Sequence, residues 1–364
     1  MPNRTAAAAA GPLVIRFGRL GDTVLLQPLL HALHLRFGRP CDLLAIGAWP
    51  EPLYRDQPEL GRVYSLQASH RGLLLSPERW RMLLALRGMR ARPIYVAEPQ
   101  PRSLAKIRRM LRLAGIPPEH VCWIEDMPEP PLHKADKLLA FAGVTPPAFA
   151  GRAGAVPGIA AAPGLQVAAA DQAEARQWLQ RQGLDPSRLV LIQAANKRTM
   201  RWNGVRAASD DEKSWPVERW AALARGICAA RDDLAVMLCG ADAEAAYVQS
   251  IVDAAAEPRI RSAAGALPLR RLLAVQSMAH SMVSVDTGPA HLAAAVGCPL
   301  LVLFGSLAPA QWCPRSASGS PVIALGGAGV VQRVDELTVE QVLAAWRGLS
   351  LHAPMMPKAV STVV

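Results

Sequence analysis

Ser284-Val285-Asp286-Thr287-Gly288-Pro289-Ala290-His291-Leu292-Ala293-Ala294-Ala295 is the stretch that decides the fold. Apolar Met282, Val283 and Val285 lead into it and read as a buried parallel strand. An acid, a hydroxyl and a glycine follow, then Pro289, whose fixed φ suits the first position of a helix. The order is strand, tight turn, helix. A helix N-terminus offers unpaired backbone N–H groups and partial positive charge, a natural seat for a phosphate. Gly288 lets the backbone come close to a ligand, and His291, in the first helical turn, can face the bound group. Taken alone, the turn reads equally as an ordinary strand–helix connection with a capping acid.

The same alternation extends in both directions. In the second half, helical patterns at Gln172–Gln182, Val217–Arg231, Leu269–Ala279 and Ala290–Val296 each precede an apolar run: Leu189–Gln193, Leu234–Cys239, Met282–Val285 and Leu300–Phe304. A late helix covers Val339–Arg347. In the first half, strands are expected at Leu13–Phe17, Leu43–Ile46, Val63–Leu66, Ile94–Ala97 and Val121–Ile124. Helices are expected from Thr23 to about Phe37, with Asp22 as cap, and at Pro77–Arg90 and Ser103–Ala114. Between Gly143 and Gly164 the composition turns to Pro and Gly, that of a linker. Strands alternating with helices imply parallel sheets. The expected fold class is α/β, with two doubly wound Rossmann-like domains, 11–150 and 165–350, facing a central cleft. Ligands of such sheets sit beyond the carboxyl ends of the strands, which is where Asp22 and Asp286 both lie.

The chain of 364 residues carries a net charge of +11, which implies an acidic partner: nucleic acid, an anionic membrane surface or a phosphorylated substrate. Six scattered cysteines without a CxxC pair read as reduced core thiols of a cytosolic protein. The Ala-rich start, broken by Gly11-Pro12, reads as a leader rather than a cleaved signal, and no apolar run is long enough to span a bilayer.

Two further segments carry chemistry. Arg16-Phe17-Gly18-Arg19-Leu20-Gly21-Asp22 places a carboxylate after a glycine-bearing strand end. It is neither a GxGxxG fingerprint nor a P-loop. Asp22 reads as a helix cap or as a general base for a hydroxyl held in the cleft. Lys213-Ser214-Trp215-Pro216, followed by Glu218 and Trp220, offers a lysine as a point charge for a phosphate, or simply a solvated surface lysine.

Together these three segments, with Phe304-Gly305 and Pro309, resemble glycosyltransferase family 9, the lipopolysaccharide heptosyltransferases. Order and spacing agree over nearly the whole chain. The resemblance implies a GT-B fold and an inverting transfer from a nucleotide-activated heptose, usually ADP-heptose. It implies Asp22 as catalytic base, Lys213 on the donor phosphate, and Asp286, Thr287, Gly288 and His291 lining the donor site. Further anion or acceptor contacts are expected from Arg19, Gly21, Arg201 and Ser306, the last where the family carries a threonine. The loop Asn196–Ser209, with Lys197, Arg198, Arg201, Trp202 and Arg206, reads as an insertion at the cleft mouth or as a flexible surface loop. No Asp-x-Asp occurs in the sequence, so no metal and no bound cofactor are expected, only the nucleotide-sugar co-substrate.

The implied partners are that donor, an anionic lipid-linked saccharide acceptor and an anionic membrane surface. The implied location is the inner face of the inner membrane. Lys106, Arg109 and Arg112 fall on one side of the 103–114 helix, with Arg108 nearby, Arg102 just before it, and Arg79, Arg81, Arg87, Arg90 and Arg92 adding to it. They form a basic face suited to such a surface, or a merely solvated one. Nucleic acid is the poorer reading and is not expected as a partner, because no binding motif appears and aromatics do not interleave with the basic run. Competing readings are a family 9 enzyme using another nucleotide sugar or a protein acceptor, and a sugar-nucleotide-binding protein without catalysis.

Overall fold

Strand and helix alternate along the described chain. The structure, a computed structural model, describes residues 11–66, 77–128, 133–197, 199–201, 204–205 and 211–349. The Ala-rich start lies outside the described residues. The first unit runs β1 (Leu13–Arg16), α1 (Leu20–Leu25), α2 (Gln27–Phe37), β2 (Cys41–Ile46), α3 (Pro50–Tyr54), β3 (Leu60–Leu66), α4 (Pro77–Arg87), β4 (Ile94–Val96), α5 (Pro101–Ala114), β5 (Val121–Trp123) and α6 (Lys134–Phe141). The second runs α7 (Ala169–Gln180), β6 (Leu189–Gln193), β7 (Met200–Arg201), β8 (Gly204–Val205), α8 (Val217–Ala230), β9 (Ala235–Leu238), α9 (Ala245–Ala255) and β10 (Ile260–Ser262). It continues with α10 (Leu269–Met278), β11 (Ser281–Val285), α11 (Gly288–Ala295), β12 (Leu300–Phe304), α12 (Pro309–Trp312), β13 (Val322–Gly326) and α13 (Val339–Leu349).

The first sheet has the order β3-β2-β1-β4-β5 and the second β10-β9-β6-β11-β12-β13. All pairings in both are parallel, as at Ile15↔Leu44 and Met282↔Leu191. In each sheet the strand order reverses once, between β1 and β4 and between β6 and β11. Such reversals open a crevice at the strands' carboxyl ends.

Period-two alternation sorts the strand side chains onto the two faces. Leu13, Ile15, Leu44, Ile94 and Val96 pack under α4 and α5. Val14, Leu43, Ala45 and Tyr95 face the other way, toward α1, α2 and α6. That inner core is continuous with Leu191, Met282 and Val302 of the second sheet and with α7, α10 and α11. Val190, Ile192, Val283 and Leu303 face outward onto α8, α9 and α13. The layers therefore run helix, sheet, a shared helical core, sheet, helix.

Between residues 143 and 164 the chain is irregular, as its Pro/Gly content predicts. It is pinned to the buried Arg36 of α2, whose guanidinium donates to Val144 O at 3.2 Å, Thr145 Oγ1 at 2.9 Å and Gly154 O at 3.1 Å. The six cysteines are free and all but Cys313 are buried, the core thiols the sequence indicates. Among the described residues no helix is long and apolar enough to cross a membrane.

The structure corrects the expected long helix from Thr23. The chain forms α1 and α2, broken at Leu26, because Pro28 in the first turn of α2 has no N–H to continue the ladder. Asp22 caps α1 from inside it: Arg19 holds the N-cap position, and Asp22, the third residue of the helix, closes a capping box by accepting from Arg19 N–H.

Candidate active site

The two reversals face each other, and two adjoining cavities occupy the space between them. The larger, about 750 Å³, is lined from the second unit by Gln193 and Asn196 after β6, Gly240 and Glu244 after β9, Lys213, and the Asp286-Thr287-Gly288-Pro289 turn. The first unit adds Arg19, Leu20 and Gly21 at the start of α1, and Trp49 before α3. The smaller, about 230 Å³, is lined by Arg16, Asp22, Gln100, Lys134 and Lys137 of the first unit and by Trp312 of α12. The start of α1 is the partition: Arg19 to Gly21 face one cavity and Asp22 the other.

The turn after β11 forms as its sequence predicts. β11 ends at Val285, Thr287 occupies the N-cap position and Pro289 sits in the first turn of α11. The N-terminus of α11, with its positive dipole end, thus lies at the wall of the larger cavity. Thr287 Oγ1 lies 3.1 Å from Ser284 Oγ.

Lys213 is brought to the same wall, but not as a free charge. Its Nζ donates to Asp286 Oδ2 at 2.5 Å and to Asp286 O at 2.9 Å. Both side chains are more than four-fifths buried. An ammonium has three N–H donors, so one remains for a ligand. The lysine's own loop is fixed beneath it: buried Asp211 accepts from Lys213 N at 3.2 Å and from Asn196 Nδ2 at 2.7 Å. Trp215 is an anchor, buried, with Nε1 donating to Leu337 O at 2.9 Å and its ring edge-on to Trp220 at 4.8 Å.

Asp22 is held at both oxygens. Oδ1 accepts from Arg16 Nη2 at 2.7 Å and Oδ2 from Arg19 N–H at 2.9 Å. The close approach is possible because residue 18 is glycine: a Cβ there would lie 2.5 Å from Asp22 Cβ.

Two expected contacts differ, and a third falls outside the described residues. His291 does not line the larger cavity; it is buried behind Asp286, with Nε2 3.9 Å from Asp286 Oδ1. Burial lowers its pKa to about 4, against the pull of Asp286 and Asp22. It is therefore neutral near pH 7 and a poor partner for phosphate. Its ring instead packs on α1, where a Cβ on Gly21 would meet His291 Cδ2 at 2.9 Å. Ser306 does not face the donor cavity: its Oγ donates to Glu212 Oε2 beside Lys213, and so braces the lysine loop. Arg201 belongs to β7, antiparallel to β8, but its side chain lies outside the described residues, as do residues 198, 202–203 and 206–209 of the expected insertion. Lys197, at the base of that loop, does line the larger cavity.

Several site residues are not singled out by the sequence reading. Glu244 lines the larger cavity, accepts from Ala241 N–H at 2.8 Å, and has its pKa raised by burial. The signal was Gly240 after an apolar strand, the same strand–turn–acid pattern as at Asp286. Lys134 and Lys137 sit on α6, a helix legible in the spacing of Ala135, Leu138 and Phe141, which are its buried positions. Lys134 Nζ lies 5.4 Å from the centroid of the Trp312 ring.

The basic face on α5 is confirmed in pattern and corrected in membership. Leu104, Ile107, Met110 and Leu111 are buried, while Arg102, Lys106, Arg109 and Arg112 are exposed. Arg108, near that face as expected and also exposed, is ion-paired with Glu125 and stacked 4.1 Å from the Trp123 ring centroid. Arg92 is buried, donating to Asp42 Oδ2 at 2.7 Å and Gly11 O at 2.6 Å. Arg90 caps α5 through Ala114 O at 2.8 Å. Arg81 and Arg87 are exposed, and the side chain of Arg79 lies outside the described residues.

Residues 160–327 match the family described as glycosyltransferase family 9 (heptosyltransferase). Among solved structures, the ADP-heptose lipopolysaccharide heptosyltransferase II of E. coli superposes with a TM-score of 0.69 at 22% identity, covering 94% of this chain and 98% of its own. A family 9 glycosyl transferase from Veillonella parvula superposes at 0.71 with 16% identity, covering 95% and 99%. E. coli heptosyltransferase WaaC, solved with ADP, superposes at 0.63 with 18% identity, covering 94% and 99%. At these identities the superpositions establish the fold, GT-B. No curated protein matches the chain.

Proposed function

We propose that this glycosyltransferase, whose residues 160–327 match family 9, moves a heptose from ADP-heptose to an anionic, lipid-linked inner-core saccharide with inversion at the anomeric carbon. The observation that carries the reading is the partition by α1: a phosphate-seating helix N-terminus and Lys213 on one side, a fixed carboxylate on the other.

In this reading residues 165–350 hold the donor and residues 11–150 the acceptor. The diphosphate lies against the Asp286-Thr287-Gly288 turn and the remaining N–H of Lys213. The acceptor sugar enters the smaller cavity, whose Lys134 and Lys137 suit its negative charge and whose Trp312 offers an apolar face. Asp22 takes the proton of the acceptor hydroxyl as its oxygen bonds to the anomeric carbon. The bond from that carbon to the diphosphate breaks with inversion, and ADP leaves with its charge met by Lys213 and the end of α11. No metal is required by this scheme. The exposed cations Arg102, Lys106, Arg109 and Arg112 then face an anionic membrane, placing the enzyme peripherally on its cytoplasmic side.

The test is turnover with ADP-heptose and heptose-free inner-core lipopolysaccharide, wild type against Asp22→Asn. Asp22→Asn should keep ADP affinity and lose roughly 10²-fold or more in kcat. Equal turnover would remove the base from Asp22. Mass analysis of lipopolysaccharide from cells lacking the protein should show a core short of one heptose.

A further inference from the structure

We infer that Arg16 is a positioning residue of the transfer reaction, acting through Asp22. The inference rests on the reading of Asp22 as base. Arg16 is the last residue of β1, at the point where the first sheet reverses. Its guanidinium spans two elements: Nη2 donates to Asp22 Oδ1 at 2.7 Å and Nη1 to Ala97 O, beyond β4, at 2.8 Å. The strand exit beside it is pinned again, since Phe17 N–H donates to Oε2 of the buried Glu98 at 2.8 Å. The side chain is 12% exposed.

Two features make this more than a surface ion pair. An arginine presents its donors in a rigid planar fork, so holding one N–H on a sheet carbonyl fixes the direction of the other. The contact also dictates the sequence between the partners. A Cβ at Gly18 would lie 2.9 Å from Arg16 Nε as well as against Asp22, so any side chain there separates the pair. With Oδ2 tied to Arg19 N–H, the carboxylate can neither rotate nor swing away. Arg16 thus ties the direction of the base to the rigid end of β4 rather than to the mobile side-chain torsions of α1. A base misaimed by an ångström loses rate without losing substrate.

The experiment compares Arg16→Met, Arg16→Lys and Asp22→Asn with wild type, using ADP-heptose and O-deacylated heptose-free inner-core lipopolysaccharide, with and without guanidinium chloride at millimolar levels. Losing a charge-assisted hydrogen bond should cost Arg16→Met roughly tenfold to a hundredfold in kcat. Both KM values should stay within about twofold. Added guanidinium should restore part of the rate to Arg16→Met and none to Asp22→Asn, and Arg16→Lys should fall between. Unchanged kcat in Arg16→Met beside a dead Asp22→Asn overturns the role of Arg16 and leaves the base in place. A loss that appears in the acceptor KM makes Arg16 a binding residue, and a loss that neither guanidinium nor lysine relieves makes it a structural one; either overturns the inference. An active Asp22→Asn overturns the base and this inference with it.

Discussion

Lys213→Met and Asp286→Asn should move ADP affinity in opposite directions. Both side chains line the larger cavity, and the ammonium sits 2.5 Å from Asp286 Oδ2 with little exposure of either partner. With the diphosphate against Lys213 as proposed, removing the lysine deletes a charge-assisted contact worth about 1.5–3 kcal/mol. It also leaves the Asp286 carboxylate uncompensated beside the ligand. Two unit charges about 6 Å apart at an effective dielectric of about 20 interact by roughly 3 kcal/mol, of which ionic screening removes a part. Lys213→Met should therefore weaken ADP binding by at least tenfold to a hundredfold. Asp286→Asn keeps the shape, removes the repulsion and frees the ammonium, so ADP should bind tighter, by up to about tenfold. The double variant should recover part of the loss of the lysine variant, a coupling of about 1–2 kcal/mol. Calorimetric titration with ADP at 0.15 M salt reads all four dissociation constants. If Asp286→Asn weakens ADP as much as Lys213→Met does, Asp286 orients the donor directly and the counter-ion argument is wrong.

Activity should persist in excess EDTA, and abolition by chelation with rescue by Mg²⁺ would replace the lysine–helix scheme with a metal one. Gly21→Ala places a Cβ 2.9 Å from the His291 ring in a packed contact, so it should cost about 1–3 kcal/mol of stability by denaturant unfolding; no loss would mean that α1 and α11 part freely. His291, with a pKa lowered to about 4 from 6.5, binds a proton less readily folded than unfolded. Its contribution is complete above about pH 6.5 and is lost as pH falls toward 4, by about 2–4 kcal/mol. The buried His133 shifts in the same direction, so the slope should flatten in His291→Gln without vanishing; an identical slope would place the titration elsewhere. Changing Arg102, Lys106, Arg109 and Arg112 to Gln should abolish co-sedimentation with anionic vesicles at low salt and spare ADP binding; unaltered sedimentation would reduce α5 to a solvated face.

What the sequence makes legible is what lies close along the chain. The Val283–Ala295 segment predicts its strand, turn and helix because hydrophobic period, glycine and proline agree within a dozen residues. The short edge strands β10 and β13 escape notice for the opposite reason: Ile260–Ser262 has one buried side chain, and Val322–Gly326 has none. Partners are harder still. Lys213 and Asp286 are 73 positions apart, so a lysine that reads as a free point charge is in fact half of an ion pair. His291, expected at the donor site, is buried beside Asp286 rather than exposed in the cavity wall. A polar residue one turn into a helix faces either the cleft or the core, and here the helix N-terminus meets α1 first.

That meeting of helices has a mechanistic consequence. Gly21 and Gly288 are two points of close approach between α1 and α11, since a Cβ at either would lie 2.9 Å from His291 or Leu20 of the other helix. Asp22 follows the first glycine and the donor turn ends on the second. On the proposed function, the spacing between Asp22 as base and the donor turn is therefore set by two glycines and a buried histidine, not by loops. Enlarging Gly21 would push α1 from the His291 ring and lengthen that spacing without changing any polar side chain of either cavity. The rate should then fall with ADP affinity largely kept, which separates the geometry of the contact from the chemistry on either side of it.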